Sequence, residues 1–223
     1  MPIILYIITF ALTAVCALVQ PMGSPTADIA WFAAVFSLIG LPILEVRRLH
    51  PRDEKKAGIV LEWSTKGFLI AIAVIAAILI PVALGNHFVR TEMAGMSFHF
   101  DWGNYDRLDS PIYYQVLIQI LAVALPEEFF YRGYLQTAFL KYFQSRPAIQ
   151  KFAAPCAIAT ASLCFALVHL PSGDISRLLT FFPGLLFGTL RHKTDNLVAP
   201  VLCHAACNLM MITFNVHYFS TTV

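Results

Sequence analysis

The sequence predicts an all-α membrane protein, a bundle of about seven to eight transmembrane helices in a single domain that covers 1–223. Hydrophobic residues make up 58% of the 223 residues, charged residues only 13%, and the mean hydropathy is +0.70. Soluble domains carry about 25% charged residues. The apolar residues also fall in long runs, and a helix needs roughly 20 of them to cross about 30 Å of hydrocarbon.

Seven apolar runs are candidate spans, and we expect each to be helical. In chain order they are Pro2–Val19, Ile29–Leu44, Gly67–Leu84, Ile112–Leu140, Phe152–Leu170, Leu178–Leu190 and Leu197–Phe219. The first run lacks the basic start of a secretory signal peptide, so it is kept as a span. The second and sixth are short for a full crossing, and Pro183-Gly184 predicts a kink in the sixth, so either could be tilted or partly re-entrant.

Basic residues orient the chain, because cytoplasmic loops of membrane proteins carry an excess of Lys and Arg. The loop after the second span holds five of them: Arg47, Arg48, Arg52, Lys55 and Lys56. We therefore expect this loop and the N-terminus on the cytoplasmic side. The net charge of +2 reflects this topology, and no basic, aromatic patch indicates a nucleic-acid partner.

The longest polar stretch, Asn86–Ser110, mixes aromatic residues with aspartates and histidines. Such a composition suits the headgroup boundary, so we expect an interfacial connector, with a substrate-gating flap as the alternative. The five cysteines all fall within expected spans, where a free thiol packs as a small apolar group. No disulfide framework is indicated.

The fourth run contains Glu127, Glu128 and Arg132. Ionisable residues in a span cost about 2.5–3.5 kcal/mol each, which indicates a functional role. Residues four apart share a helix face, so Glu128 and Arg132 can pair while Glu127 points about 100° away. A low dielectric disfavours an unpaired carboxylate, and such a group can exchange a proton near neutral pH. Glu127 is therefore the candidate general base.

Two later spans carry polar or aromatic pairs at the same spacing. Phe165 and His169 lie near the end of the fifth span, and His204 and Asn208 lie near the start of the seventh. His169 could instead reach the interface from a helix end, and Asn208 could bond a neighbouring helix. Together with the glutamates, these residues supply a base, charge partners and hydrogen-bond donors for activating water against an amide.

Other chemistries fit this pattern less well. Glu, His and Cys can ligate zinc, but no HExxH motif is present and Arg132 would repel a dication, so we expect no metal or other cofactor. Ser162 precedes His169 by seven residues but has no nucleophile elbow around it, and Cys207 lies in an apolar setting that disfavours the thiolate. Proton-coupled transporters also use intramembrane Glu and His, but they predict repeats that the sequence lacks.

In order, the three groups read EExxxR, FxxxH and HxxxN, and in this respect the chain resembles the CAAX-processing and bacteriocin-processing (CPBP or ABI) family of intramembrane proteases. The motifs run from Glu127 to Arg132, from Phe165 to His169 and from His204 to Asn208, on helices within 112–219. The resemblance implies an endopeptidase that hydrolyses a peptide bond of a membrane-tethered or lipid-modified protein or peptide. A non-proteolytic immunity or chaperone-like role is the alternative, and the complete motifs disfavour it.

The resemblance also implies roles for the motif residues. Glu127 and His169 would activate water, and His204 and Asn208 would form the oxyanion hole. The remaining motif residues, Glu128, Arg132 and Phe165, would support them. The short chain without an appended domain resembles the prokaryotic members, which implies an integral protein of a prokaryotic inner membrane.

Overall fold

The computed structural model describes residues 2–19, 26–49, 60–62, 64–108 and 110–220. Seven helices occupy the seven apolar runs in this part of the chain. They are α1 (Pro2–Val19), α2 (Thr26–Leu49), α3 (Thr65–Phe88), α4 (112–144), α5 (Ala153–Leu167), α6 (Phe181–Thr194) and α7 (Val198–His217). The helical membrane bundle expected from hydropathy is therefore confirmed.

Among the described residues, four helical segments are long and apolar enough to cross a membrane: Asp28–Arg48, Thr65–Met93, Gln150–Leu167 and Val198–His217. The first helix contributes a shorter apolar segment, Pro2–Leu18. Of the basic residues expected to orient the chain, Arg47 and Arg48 end α2, while Arg52, Lys55 and Lys56 lie outside the described residues. The cytoplasmic position of the N-terminus stays a prediction.

Helix α2 is longer than the sequence predicts, because it continues past Leu44 to Leu49. With 24 residues it is long enough to span, so the expectation of a short second span is wrong. The extension contains Glu45, which is 8% exposed and accepts a hydrogen bond from the Tyr134 hydroxyl of α4. A hydrogen-bonded carboxylate can remain buried, which hydropathy alone does not indicate.

Helix α6 begins at Phe181, after a 3₁₀ segment at Ile175–Thr180. Pro183 consequently lies in the first helical turn, where no N–H is needed for the helix hydrogen bonds. The kink expected at Pro183 is therefore wrong, although the helix is short at 14 residues.

Helix α4 is not uniformly α-helical. Two π-helical segments, Ile118–Ala124 and Phe129–Leu135, flank the short α-helical segment Leu125–Glu128 that carries both glutamates. The sequence predicts one regular helix here and does not reveal these segments. Such π-helical segments are rare and are often found at functional sites.

Helices α4 and α6 are held together through the backbone of two glycines. Arg132 Nη2 donates to the Gly184 carbonyl at 3.4 Å, and Gln136 Nε2 donates to the Gly188 carbonyl at 3.0 Å. A Cβ atom at Gly188 would lie 2.8 Å from Gln136 Oε1 and 2.9 Å from Ile158 Cγ2. The absence of side chains at these two positions therefore permits the close helix approach that both hydrogen bonds require.

The connector after α3 forms a small sheet that the sequence does not predict. Strand β1 (Met96–Phe98) pairs antiparallel with β2 (Tyr218–Ser220), directly after α7. The expected end of the last helical span at Phe219 is thus wrong, since α7 ends at His217. Phe100 stacks on the His217 ring with centroids 4.8 Å apart, so the connector is attached to the end of α7.

Candidate functional site

The centre of the site is the ion pair that the spacing on α4 predicts. Arg132 Nη1 lies 3.1 Å from Glu128 Oε1, and both side chains are 0% exposed. The guanidinium carbon lies 4.2 Å from the Phe165 ring centroid and 5.4 Å from that of Phe187. Aromatic faces attract a cation, so these rings contribute to holding a charge that water cannot reach.

His204 of α7 lies between the two glutamates. Its Nδ1 donates to Glu128 Oε1 at 2.8 Å, and its Nε2 lies 3.6 Å from Glu127 Oε2. The His204 ring stacks on Phe187, with centroids 5.1 Å apart and an interplanar angle of 15°. These contacts fix the ring in one orientation, with each nitrogen facing a different carboxylate.

The two glutamates have different surroundings, although they are adjacent in sequence. The Glu128 side chain is 0% exposed and contacts Arg132 and His204, whereas that of Glu127 is 21% exposed. Glu127 Oε2 is nevertheless buried and has no hydrogen-bond partner among the described residues. Glu128 Oε2 likewise has no hydrogen-bond partner there, so the two glutamates differ in their exposure and in the ion pair that only Glu128 forms with Arg132.

Phe165 brings the three motifs together. Its ring centroid lies 5.2 Å from that of Tyr131, 4.8 Å from that of His169 and 5.7 Å from that of His204. Phe165 is only 2% exposed, so its ring is enclosed by these neighbours and Arg132. The FxxxH motif thus supplies the packing surface against which the charged residues are arranged.

His169 does not lie on the helix, because α5 ends at Leu167 rather than at the predicted Leu170. It occupies the turn that follows, and its Nδ1 is 2.7 Å from the Phe165 carbonyl. A carbonyl oxygen only accepts, so Nδ1 carries the hydrogen and Nε2 of the neutral ring is an acceptor. The turn therefore sets the tautomer in which His169 could receive a proton.

Asn208 lies one turn after His204 on α7 and forms a hydrogen bond with a residue of α4. Its Nδ2 donates to Gln119 Oε1 at 2.9 Å. This is the contact with a neighbouring helix that the sequence left open as the structural alternative for Asn208. The sequence analysis missed Gln119, which is a polar residue in the same apolar run as Glu127.

The hydroxyl of Ser162, which the sequence disfavours as a nucleophile, is bonded within its own helix. Ser162 Oγ donates to the Ile158 carbonyl at 2.7 Å, a common arrangement for a helical hydroxyl. All five cysteines are free thiols. Within the described ranges, no three His, Cys, Asp or Glu side chains form a group that could hold a metal ion.

Together, the fold and the site define a helical integral membrane protein in which glutamate, histidine and arginine side chains converge between α4, α6 and α7. Residues 109–210 match the family model described as Type II CAAX prenyl endopeptidase Rce1-like. This region contains all three motifs, so the predicted resemblance to CAAX-processing proteases is confirmed. Searches of the curated proteins and of the solved structures gave no significant match.

Proposed function

We propose that the protein is an intramembrane endopeptidase that hydrolyses a peptide bond with water activated by Glu127 and His169. The observation that carries this proposal is the pairing of His204 with both glutamates, at 2.8 Å from Glu128 and 3.6 Å from Glu127. This pairing combines the partly accessible carboxylate of Glu127 with the fixed imidazole of His204, in a site largely shielded from solvent. A base and a charged donor in such an environment are suited to amide hydrolysis.

The hydrogen bonds support a division of roles. Glu127 takes a proton from water and delivers it to the leaving nitrogen, and His169 Nε2 accepts a hydrogen bond from the same water. Glu128 and Arg132 do not touch the substrate. Instead, they hold His204 through the bond between its Nδ1 and Glu128 Oε1.

Charge balance supports His204 as an oxyanion donor. A neutral His204 whose Nδ1 carries the hydrogen has only an acceptor at Nε2 and cannot donate to an oxyanion. A second proton on Nε2 makes Glu127, Glu128, Arg132 and His204 a group of two negative and two positive charges. A neutral group is far less costly than a net charge in a low dielectric, so we propose that His204 works as the imidazolium.

For the substrate, we propose a membrane-tethered or lipid-modified protein or peptide. The matching family is described as prenyl endopeptidases, and the site lies between apolar helices. A substrate anchored in the same bilayer reaches such a site by lateral diffusion. We further propose a prokaryotic inner membrane and a cytoplasmic N-terminus, the latter because of the basic residues after α2.

Replacement of Asn208 by Ala is expected to lower kcat by about 10²–10³, the usual effect of removing one oxyanion donor. The effect on thermal unfolding should be small, because interhelical hydrogen bonds in membranes average about 0.6 kcal/mol. Gln119→Leu is the matched control, since it breaks the same hydrogen bond and leaves Asn208 in place. Equal losses of kcat in the two variants would show that the amide pair only joins the helices.

The proposal is tested by reconstituting the purified protein in lipid vesicles with a tagged, lipid-anchored peptide. We expect two products whose new termini, identified by mass spectrometry, differ from the substrate by one water molecule, with unchanged rates in a chelator. Loss of activity in the chelator and its return with zinc would contradict the metal-free mechanism. Saturable uptake driven by a pH gradient without cleavage would indicate a transporter, and neither activity would favour an immunity or chaperone-like role.

A further inference from the structure

Tyr131 lies beside the proposed base and is not used by the mechanism above. It follows Glu127 by four residues on α4, the spacing that also brings Glu128 and Arg132 together. The side chain is 1% exposed, and its ring packs against Phe165, with centroids 5.2 Å apart. The tyrosine is therefore part of the rigid wall of the site.

The hydroxyl of Tyr131 is buried and has no hydrogen-bond partner among the described residues. Glu127 Oε2 is in the same condition. The ionisable groups whose charges act on this hydroxyl are Glu127, Tyr6, Cys164 and Arg132. A hydroxyl without a hydrogen-bond partner thus lies one helical turn from Glu127, whose Oε2 has His204 Nε2 at 3.6 Å but no hydrogen bond among the described residues.

Buried polar groups nearly always have a partner, and an exception calls for a functional explanation or a bound water. A donor hydroxyl and an acceptor carboxylate are complementary to one water molecule, which can accept from the first and donate to the second. The neighbouring Tyr6 differs in this respect, because its hydroxyl already donates to the Cys164 carbonyl at 3.1 Å.

We propose that Tyr131 is a further catalytic residue, whose hydroxyl donates a hydrogen bond to the attacking water and orients it against Glu127. This inference rests on the proposed peptidase function. The water oxygen attacks the carbonyl carbon of the scissile amide, and one water proton passes to Glu127 Oε2. That proton is delivered to the leaving nitrogen as the C–N bond breaks, and Tyr131 keeps its own proton throughout.

The test is Tyr131→Phe, which removes only the oxygen and keeps the ring that packs on Phe165. We expect kcat to fall about tenfold, the loss of one hydrogen bond made to the reacting water, with KM changed less than about twofold. The unfolding temperature should not fall, because the hydroxyl forms no hydrogen bond with the described protein groups that the substitution could break. Tyr6→Phe is the matched control, with kcat within about twofold of wild type and a slightly lower unfolding temperature, since it breaks a formed hydrogen bond.

A kcat of Tyr131→Phe within about twofold of wild type would overturn the inference. So would a fall in unfolding temperature that accompanies the loss of activity, including failure to fold, because the hydroxyl would then be structural. The proposed function is tested separately by Glu127→Gln. If that variant is inactive while Tyr131→Phe is fully active, only the role of Tyr131 is wrong; if Glu127→Gln cleaves normally, the peptidase mechanism itself fails.

Discussion

Cleavage by the Glu127→Gln variant is expected to fall by about 10²–10⁴ in kcat, the range that a general base contributes. Gln has nearly the same shape as Glu but cannot take a proton from water. The protein should fold normally, because the Glu127 side chain is 21% exposed and its Oε2 has no hydrogen-bond partner among the described residues. The measurements are kcat on a tagged membrane peptide and the thermal unfolding midpoint in detergent.

Glu92→Gln is the matched control for this variant. Glu92 is exposed and lies in the π-helical segment Val89–Met93, outside the site, so both activity and stability should be unchanged. His169→Ala should reproduce the loss seen for Glu127→Gln without unfolding the protein. Cleavage at the wild-type rate by Glu127→Gln would rule out the mechanism, whatever the behaviour of His169→Ala.

The second large effect is on stability, and it concerns Arg132→Met. Removing one partner of a buried ion pair leaves the other charge without compensation and costs about 3–5 kcal/mol. Here the remaining carboxylate would be Glu128, which is 0% exposed and would retain only His204. We expect the unfolding midpoint to drop by roughly 6–20 °C. Activity should also be lost, because Glu128 would no longer be held in position for His204.

Two further variants serve as controls for Arg132→Met. Arg177→Met removes an exposed arginine and should cost at most about 1 kcal/mol. The double variant Arg132→Met, Glu128→Leu removes both charges, so it should be considerably more stable than Arg132→Met alone, yet inactive. If Arg132→Met and Arg177→Met unfold at the same temperature, the buried pair does not have the energetic role assigned to it.

The hydropathy pattern predicted the helices, and the spacing of the charged residues predicted the ion pair on α4. Both patterns depend only on local sequence. Apolar runs must form helices in hydrocarbon, where every backbone N–H and C=O needs an internal partner. The i, i+4 rule placed Glu128 beside Arg132, and the structure has this ion pair. The three motifs likewise indicated the family that residues 109–210 match.

Features that depend on contacts between helices were not predictable in this way. The predicted second span ended at Leu44, before Glu45, but a hydrogen bond from Tyr134 keeps Glu45 buried inside α2. Pro183 predicted a kink only because the start of α6 was placed too early. The pairing of β1 with β2 joins segments more than 100 residues apart, and no local pattern specifies such a partner.

The sequence by itself determined the membrane class, the order of the helices and the residue types of the site, because these follow from local polarity and periodicity. Only the tertiary structure decided which groups meet. It placed His204 between Glu127 and Glu128 and paired Asn208 with Gln119. It also left the Tyr131 hydroxyl without a hydrogen-bond partner in the described part of the chain. The physical reason is that hydrogen bonds and ion pairs between helices depend on the rotation and depth of each helix. Close packing around residues such as Phe165 and Gly188 sets that rotation and depth.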